Sequence, residues 1–125
     1  MVSGMNGKLL FVINSGSESP SRVKWGLRMA LNTHSHPYGE KILEDVKVLL
    51  FCGGVSIVDP ASPHSTEFRE RLGELVSAGV EVASCISIAG PLGLEEETTA
   101  LSIKLVHASV YVAERVGEGY TIITF

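Results

Sequence analysis

One thiol stands in a setting where chemistry is expected. The stretch Gly79–Ser87 reads Gly-Val-Glu-Val-Ala-Ser-Cys-Ile-Ser. Val80, Val82 and Ser84 alternate with Glu81, Ala83 and Cys85, the period of a short buried strand opened by Gly79. Cys85 then falls at the strand's carboxyl end, ahead of small residues (Ser87, Ala89, Gly90, Gly93) that suit a loop or a loose helical turn. In an open α/β sheet that edge gathers ligands and reactive groups. A thiol there meets solvent, backbone N–H groups and helix N-termini, the conditions that favour a nucleophilic thiolate. A structural thiol buried in the core is the competing reading, since free cysteine is among the most buried residue types.

The other candidates sort by edge. Cys52 ends a second apolar run and is followed by Gly53-Gly54. It is expected to pack there as a small hydrophobe; close to Cys85, it would instead resolve an oxidised thiol. His107 closes a fourth strand, where a partly exposed histidine at a strand terminus is the plainer reading; if the third and fourth strands are neighbours, its imidazole approaches Cys85 and would favour the thiolate. His34-Ser35-His36 has the look of a metal pair, but it falls in a helix-to-strand connection at the opposite edge and lacks the third and fourth ligands a zinc site needs. Asn14-Ser15-Gly16-Ser17 follows the first strand, where a nucleotide fold holds phosphate. It has neither the G-x-G-x-x-G nor the G-x-x-x-x-G-K-[ST] spacing, which leaves at most an anion at the next helix N-terminus. Glu95-Glu96-Glu97 reads as a solvated helix start. With no C-x-x-C and no G-x-S-x-G, a dithiol oxidoreductase and a hydrolase elbow are both unsupported. No cofactor and no metal are expected.

The elements that position these residues follow from hydrophobic patterning. Lys8–Asn14 and Val46–Phe51 are continuous apolar runs, the mark of parallel strands covered on both faces. Ser19-Pro20 opens a helix carrying Val23, Leu27, Ala30 and Leu31, ending near Asn32, with a turn-rich link through His34–Gly39 after it. A long loop follows Gly54, and a second helix starting between Ser62 and Thr66 aligns Phe68, Leu72, Leu75 and Val76 in one stripe. Gly79 closes it. Ser102–Val106 is a fourth strand, Ser109 caps a third helix through Val116, and Tyr120–Phe125 is a fifth strand. The alternation β-α-β-α-β-(α)-β-α-β predicts a three-layer α/β/α fold around a five-stranded parallel sheet with flavodoxin- or Rossmann-like layering. Residues 1–7 carry no pattern and are expected to fray as a flexible N-terminus; residues 8–125 make one domain.

Bulk properties exclude several classes. The 125 residues carry a formal charge of -4 and no Lys/Arg cluster, so a nucleic-acid surface is not expected. Two cysteines are too few for a disulfide framework. No apolar run approaches the ~18 residues that span a membrane, and none resembles a signal-peptide core; a cytoplasmic protein with no membrane role is the expectation. Charged residues make up only 19%, against the ~25% usual in soluble domains, which points to surface buried between subunits.

Four stretches together resemble the DsrE/DsrF-like family of sulfur-relay proteins. They are Lys8–Asn14, Val48–Val55, Leu75–Cys85 with its Ala-Gly-Val-Glu-Val lead-in to the cysteine, and Ala113–Phe125. The resemblance spans nearly the whole chain from Lys8. It implies a DsrEFH-like three-layer fold, assembly as a homotrimer or homohexamer or as a mixed oligomer, and sulfur carried as a persulfide on Cys85. It further implies a sulfurtransferase-type exchange with donor and acceptor proteins, no cofactor being needed. Sister subunits without the cysteine serve as structural partners, and this chain keeps it. His107, Ser87 and Cys52 are the candidate helpers. Cys52 is a departure, because the family does not generally require it. A non-catalytic oligomer subunit and a small-ligand domain using the crevice at Asn14, Ser15 and Gly53 are the alternatives.

Overall fold

A computed structural model describes residues 7–36, 39 and 41–125. The expected fraying of residues 1–6, and residues 37 and 38 of the expected turn, lie outside them.

Five strands form one all-parallel sheet: β1 (Lys8–Ile13), β2 (Asp45–Leu50), β3 (Glu81–Cys85), β4 (Lys104–Val106) and β5 (Thr121–Thr124), in the order β4-β3-β2-β1-β5. The order explains the layering. From β1 to β4 the chain always steps in the same direction across the sheet. Right-handed crossovers therefore put α1 (Pro20–Ser35), α2 (Ser65–Ser77) and α4 (Glu95–Ala100) on one face. The return from β4 to β5 runs the other way, so the same handedness sends α5 (Ala108–Gly117) to the opposite face.

Alternation then divides the core. Phe11, Ile13, Val48, Leu50 and Val82 point to one face and pack against Val23, Leu27 and Ala30 of α1 and Phe68, Leu72 and Leu75 of α2. The α2 stripe is the one its spacing predicts. Leu10, Val12, Leu49 and Ala83 point to the other face, where Tyr111 and Tyr120 cover them. The continuous apolar runs belong to β1 and β2, which are interior to the sheet. The edge strands β4 and β5 are more exposed along their length.

Several boundaries differ from the sequence reading. α1 runs three residues past Asn32 to Ser35, so His34 lies in its last turn, and His36 closes it in a left-handed conformation (φ 44°). Ser19 does precede Pro20 at the helix start, without a side-chain capping bond. The expected long loop after β2 begins as a 3-10 segment, Cys52–Val58. Its Gly54 lies against the end of β1 so closely that a Cβ there would stand 1.9 Å from the Ile13 carbonyl oxygen, and only glycine fits. α5 begins two residues earlier than a Ser109 cap would place it, with His107 at the N-cap.

Candidate functional site

Cys85 is the last residue of β3, and Ile86–Ala89 (α3) follow it as a single helical turn. Its partner in register is Val106 at the end of β4, immediately before His107. The neighbouring of β3 and β4 thus brings His107 to the same edge as Cys85. With Ser87 they line one cavity of about 580 Å³. Its apolar lining comes from Val12, Leu49 and Phe51 on the sheet side and Ala108 and Val112 on α5. The cavity lies between this face of the sheet and α5.

The thiol lies deep. Cys85 is 4% exposed and packs with Val55 and Ala89. Its Sγ has no hydrogen-bond partner among the described residues. His107 and Ser87 are exposed at the mouth. His107 has extended backbone (φ −80°, ψ 110°), and its carbonyl accepts the Tyr111 N–H at 2.9 Å. No side chain caps α5. Among the described residues the N–H groups of Ala108, Ser109 and Val110 have no acceptor, the usual state of a helix's first turn, and Ala108 and Ser109 line the cavity.

One expectation about a neighbour of the thiol is corrected. Cys52 does not pack as a small hydrophobe. Its left-handed backbone (φ 50°) turns the chain sharply after β2, leaving Cys52 exposed while Gly54, Val55, Ile57 and Val58 go inward. Cys52 is also not among the residues lining the cavity. Ser84, the residue before the thiol, sits between Leu50 and Leu105 in register, on the face away from α5. It is fully buried, and its Oγ has no partner.

At Asn14, Ser15 and Gly53 the loops after β1 and β2 approach each other closely. A Cβ on Gly16 would stand 2.6 Å from the Gly53 carbonyl oxygen, and one on Gly53 3.1 Å from that of Asn14. The Glu18 carboxylate accepts the Gly16 N–H at 2.9 and 3.1 Å, taking the position an anion would need. His34 and His36 lie at the far edge. Glu95, Glu96 and Glu97 form the first turn of α4. No group of three or more potential metal-ligating side chains occurs among the described residues.

Sequence reasoning missed the device that holds the α5 wall. The Tyr111 hydroxyl donates to Glu81 Oε2 at 2.6 Å, and Arg115 lies over the Tyr111 ring, 4.6 Å from its centroid. Lys104 pairs with Glu81 at 2.8 Å and Lys47 at 3.8 Å. Burial alone would raise the Glu81 pKa; the hydrogen bonds from Lys104 and Tyr111 and the two lysine charges outweigh it, and the carboxyl is held below its ordinary range. Burial, then the bond to Glu81, pushes the Tyr111 phenol up. Beside this clamp, the Tyr120 hydroxyl donates to Asp45, tying the start of β5 to β2. The available signal was the placement of Glu81 and Lys47 in otherwise apolar strands, on the face α5 covers.

A family model for the DsrE/DsrF-like family matches residues 7–125. The chain belongs to the DsrE/DsrF-like family. Solved structures repeat its architecture. A conserved protein of unknown function from Bacteroides thetaiotaomicron, BT1422, superposes with a TM-score of 0.76 over 100% of both chains at 15% identity. The ychN protein from E. coli gives 0.67 over 97% of this chain and 100% of its own at 13% identity. At those identities the likeness is one of fold. A comparison with curated proteins returned no match. In this DsrE/DsrF-like chain no helix among the described residues is long and apolar enough to cross a membrane.

Proposed function

We propose that this DsrE/DsrF-like protein is a sulfur-relay protein that carries sulfane sulfur as a persulfide on Cys85 and passes it to an acceptor thiol. The observation that carries the reading is the Cys85 thiol at the floor of a cavity, with His107 and Ser87 at its mouth. The Cys85 thiolate attacks the sulfane sulfur of a donor R–S–SH. The donor's S–S bond breaks as the Cys85 Sγ–S bond forms, and R–S⁻ leaves and takes up a proton. An acceptor thiolate then attacks the outer sulfur and Cys85 departs as thiolate, so both steps are exchanges with no net oxidation. The walls exclude water, and the His107 imidazole and Ser87 hydroxyl supply polar groups to the entering sulfur.

The proposal extends to assembly as a homotrimer or homohexamer, alone or with a different subunit. Trp25 is 68% exposed and Val110 56%, apolar surface of the kind that subunit contacts cover. Native mass spectrometry gives the subunit number, and a monomer refutes this part. The 4% exposure of Cys85 favours a second reading, a non-catalytic oligomer subunit with an inert thiol.

Intact-protein mass spectrometry after incubation with a sulfane-sulfur donor separates the two. Wild type and Cys52→Ser should gain reducible sulfur, and Cys85→Ser should gain none. Absence of any gain, with the native oligomer intact and Cys85 alkylated only after unfolding, favours the inert subunit.

A further inference from the structure

The cavity above Cys85 has a chemistry of its own. Its walls are apolar, formed by Val12, Leu49, Phe51, Ala108 and Val112. Its volume of about 580 Å³ falls inside the ~300–1,000 Å³ of small-molecule sites. One side is the first turn of α5, a ten-residue helix, where Ala108 and Ser109 present N–H groups without acceptors. Aligned peptide dipoles add partial positive charge there. Facing into the same space is the Cys85 thiol, 96% buried by its 4% exposure and without a hydrogen-bond partner among the described residues. At 4% exposure the thiol is more readily reached by a small molecule that enters the cavity than by a folded protein surface.

We infer that the sulfur donor is a small organic persulfide, with an apolar body and one anionic group such as a carboxylate. The apolar body fills the space between Leu49 and Val112. The anion rests on the Ala108 and Ser109 N–H groups, and the terminal sulfur meets Cys85 Sγ. Transfer follows the balance given above: R–S–SH loses its outer sulfur to Cys85, and R–SH leaves the cavity. The inference rests on the persulfide reading and narrows its donor from a protein to a small molecule.

The test compares initial rates of sulfur gain on Cys85, read by intact mass, for four donors: 4-carboxybenzyl persulfide, benzyl persulfide, inorganic polysulfide and persulfidated albumin. In wild type the carboxylated donor should load about tenfold faster than the uncharged one, the usual worth of a charge-assisted hydrogen bond. Val112→Trp, which fills the cavity, should lower the ratio of organic-donor to polysulfide rates about tenfold, the loss expected when a bound apolar body is excluded. Ala108→Pro removes one N–H at a first-turn position where proline is tolerated, preceded by the extended backbone that proline requires. It should narrow the gap between carboxylated and uncharged donors, and it carries the test if Val112→Trp does not fold. Albumin loading as fast as the carboxylated donor, or donor ratios untouched by both variants, overturns the inference while leaving persulfide carriage intact. Failure of every donor to load Cys85 removes both.

Discussion

The clamp between Glu81 and α5 can be measured by a double-mutant cycle. Tyr111→Phe deletes one hydroxyl and nothing else: the ring remains in its packing and under Arg115. The lost bond is short, 2.6 Å, and its acceptor is ionised. Such bonds contribute ~1.5–3 kcal/mol, and the Glu81 side chain's 23% exposure argues for the lower half, about 1.5–2 kcal/mol. Glu81 is not orphaned in the variant, because Lys104 and Lys47 still pair with it. Glu81→Gln keeps an acceptor oxygen for Tyr111 but loses the charge. The Lys104 side chain is 64% exposed, so that pair adds little; with the weaker Tyr111 bond and the more sheltered Lys47, the cost should be about 1–2 kcal/mol. The two substitutions share one bond, so the double variant should be less destabilised than their sum by about 1 kcal/mol. Urea denaturation of the four proteins at pH 7 gives the coupling. Additivity within ~0.5 kcal/mol would refute the clamp. The pH dependence follows from the direction of the Glu81 shift. Because folding lowers its pKa, the ionised form's contribution is complete above the unfolded value near 4.5 and disappears as pH falls through the folded value. The cost of Tyr111→Phe should be constant from pH 7 to about 5 and shrink below about 4.

Three further outcomes follow from local geometry. Gly54→Ala places a Cβ on the Ile13 carbonyl and should cost more than the ~1–3 kcal/mol of ordinary overpacking, seen as a large fall in Tm or in soluble yield. Ser84→Ala removes a fully buried hydroxyl that has no partner; relief of that desolvation should raise stability by up to about 1 kcal/mol in urea, and a loss above that size would show that the hydroxyl is in fact bonded. Glu18→Ala deprives the Gly16 N–H of its charged acceptor and should cost about 1 kcal/mol by thermal or urea unfolding, with no change in sulfur loading at Cys85.

Much of the architecture was legible in the residues because it rests on local rules. The apolar runs of β1 and β2, the stripe Phe68–Leu72–Leu75 and the Gly79 stop report burial and backbone conformation through short-range pattern. Cys85 at the end of β3 was legible for the same reason: alternation and the following small residues place it. Boundaries set by longer-range packing were less so. The 3-10 turn at Cys52–Val58 depends on Gly54 meeting β1, some forty residues away in the chain, and no local pattern around Cys52 reveals that its side chain faces out.

Periodicity and chain direction are enough to set the strand-helix alternation, the α/β class and the edge at which each candidate residue lies. Which residues meet depends on the assembled sheet. The strand order sets β4 beside β3 and brings His107 to the mouth above Cys85. The reversal from β4 to β5 sends one helix to the far face, leaving the cavity beside it and calling for Glu81 and Tyr111 to hold its wall. Those pairings join residues more than twenty positions apart, and their free energy comes from burial and charge in the assembled sheet, which no local spacing encodes.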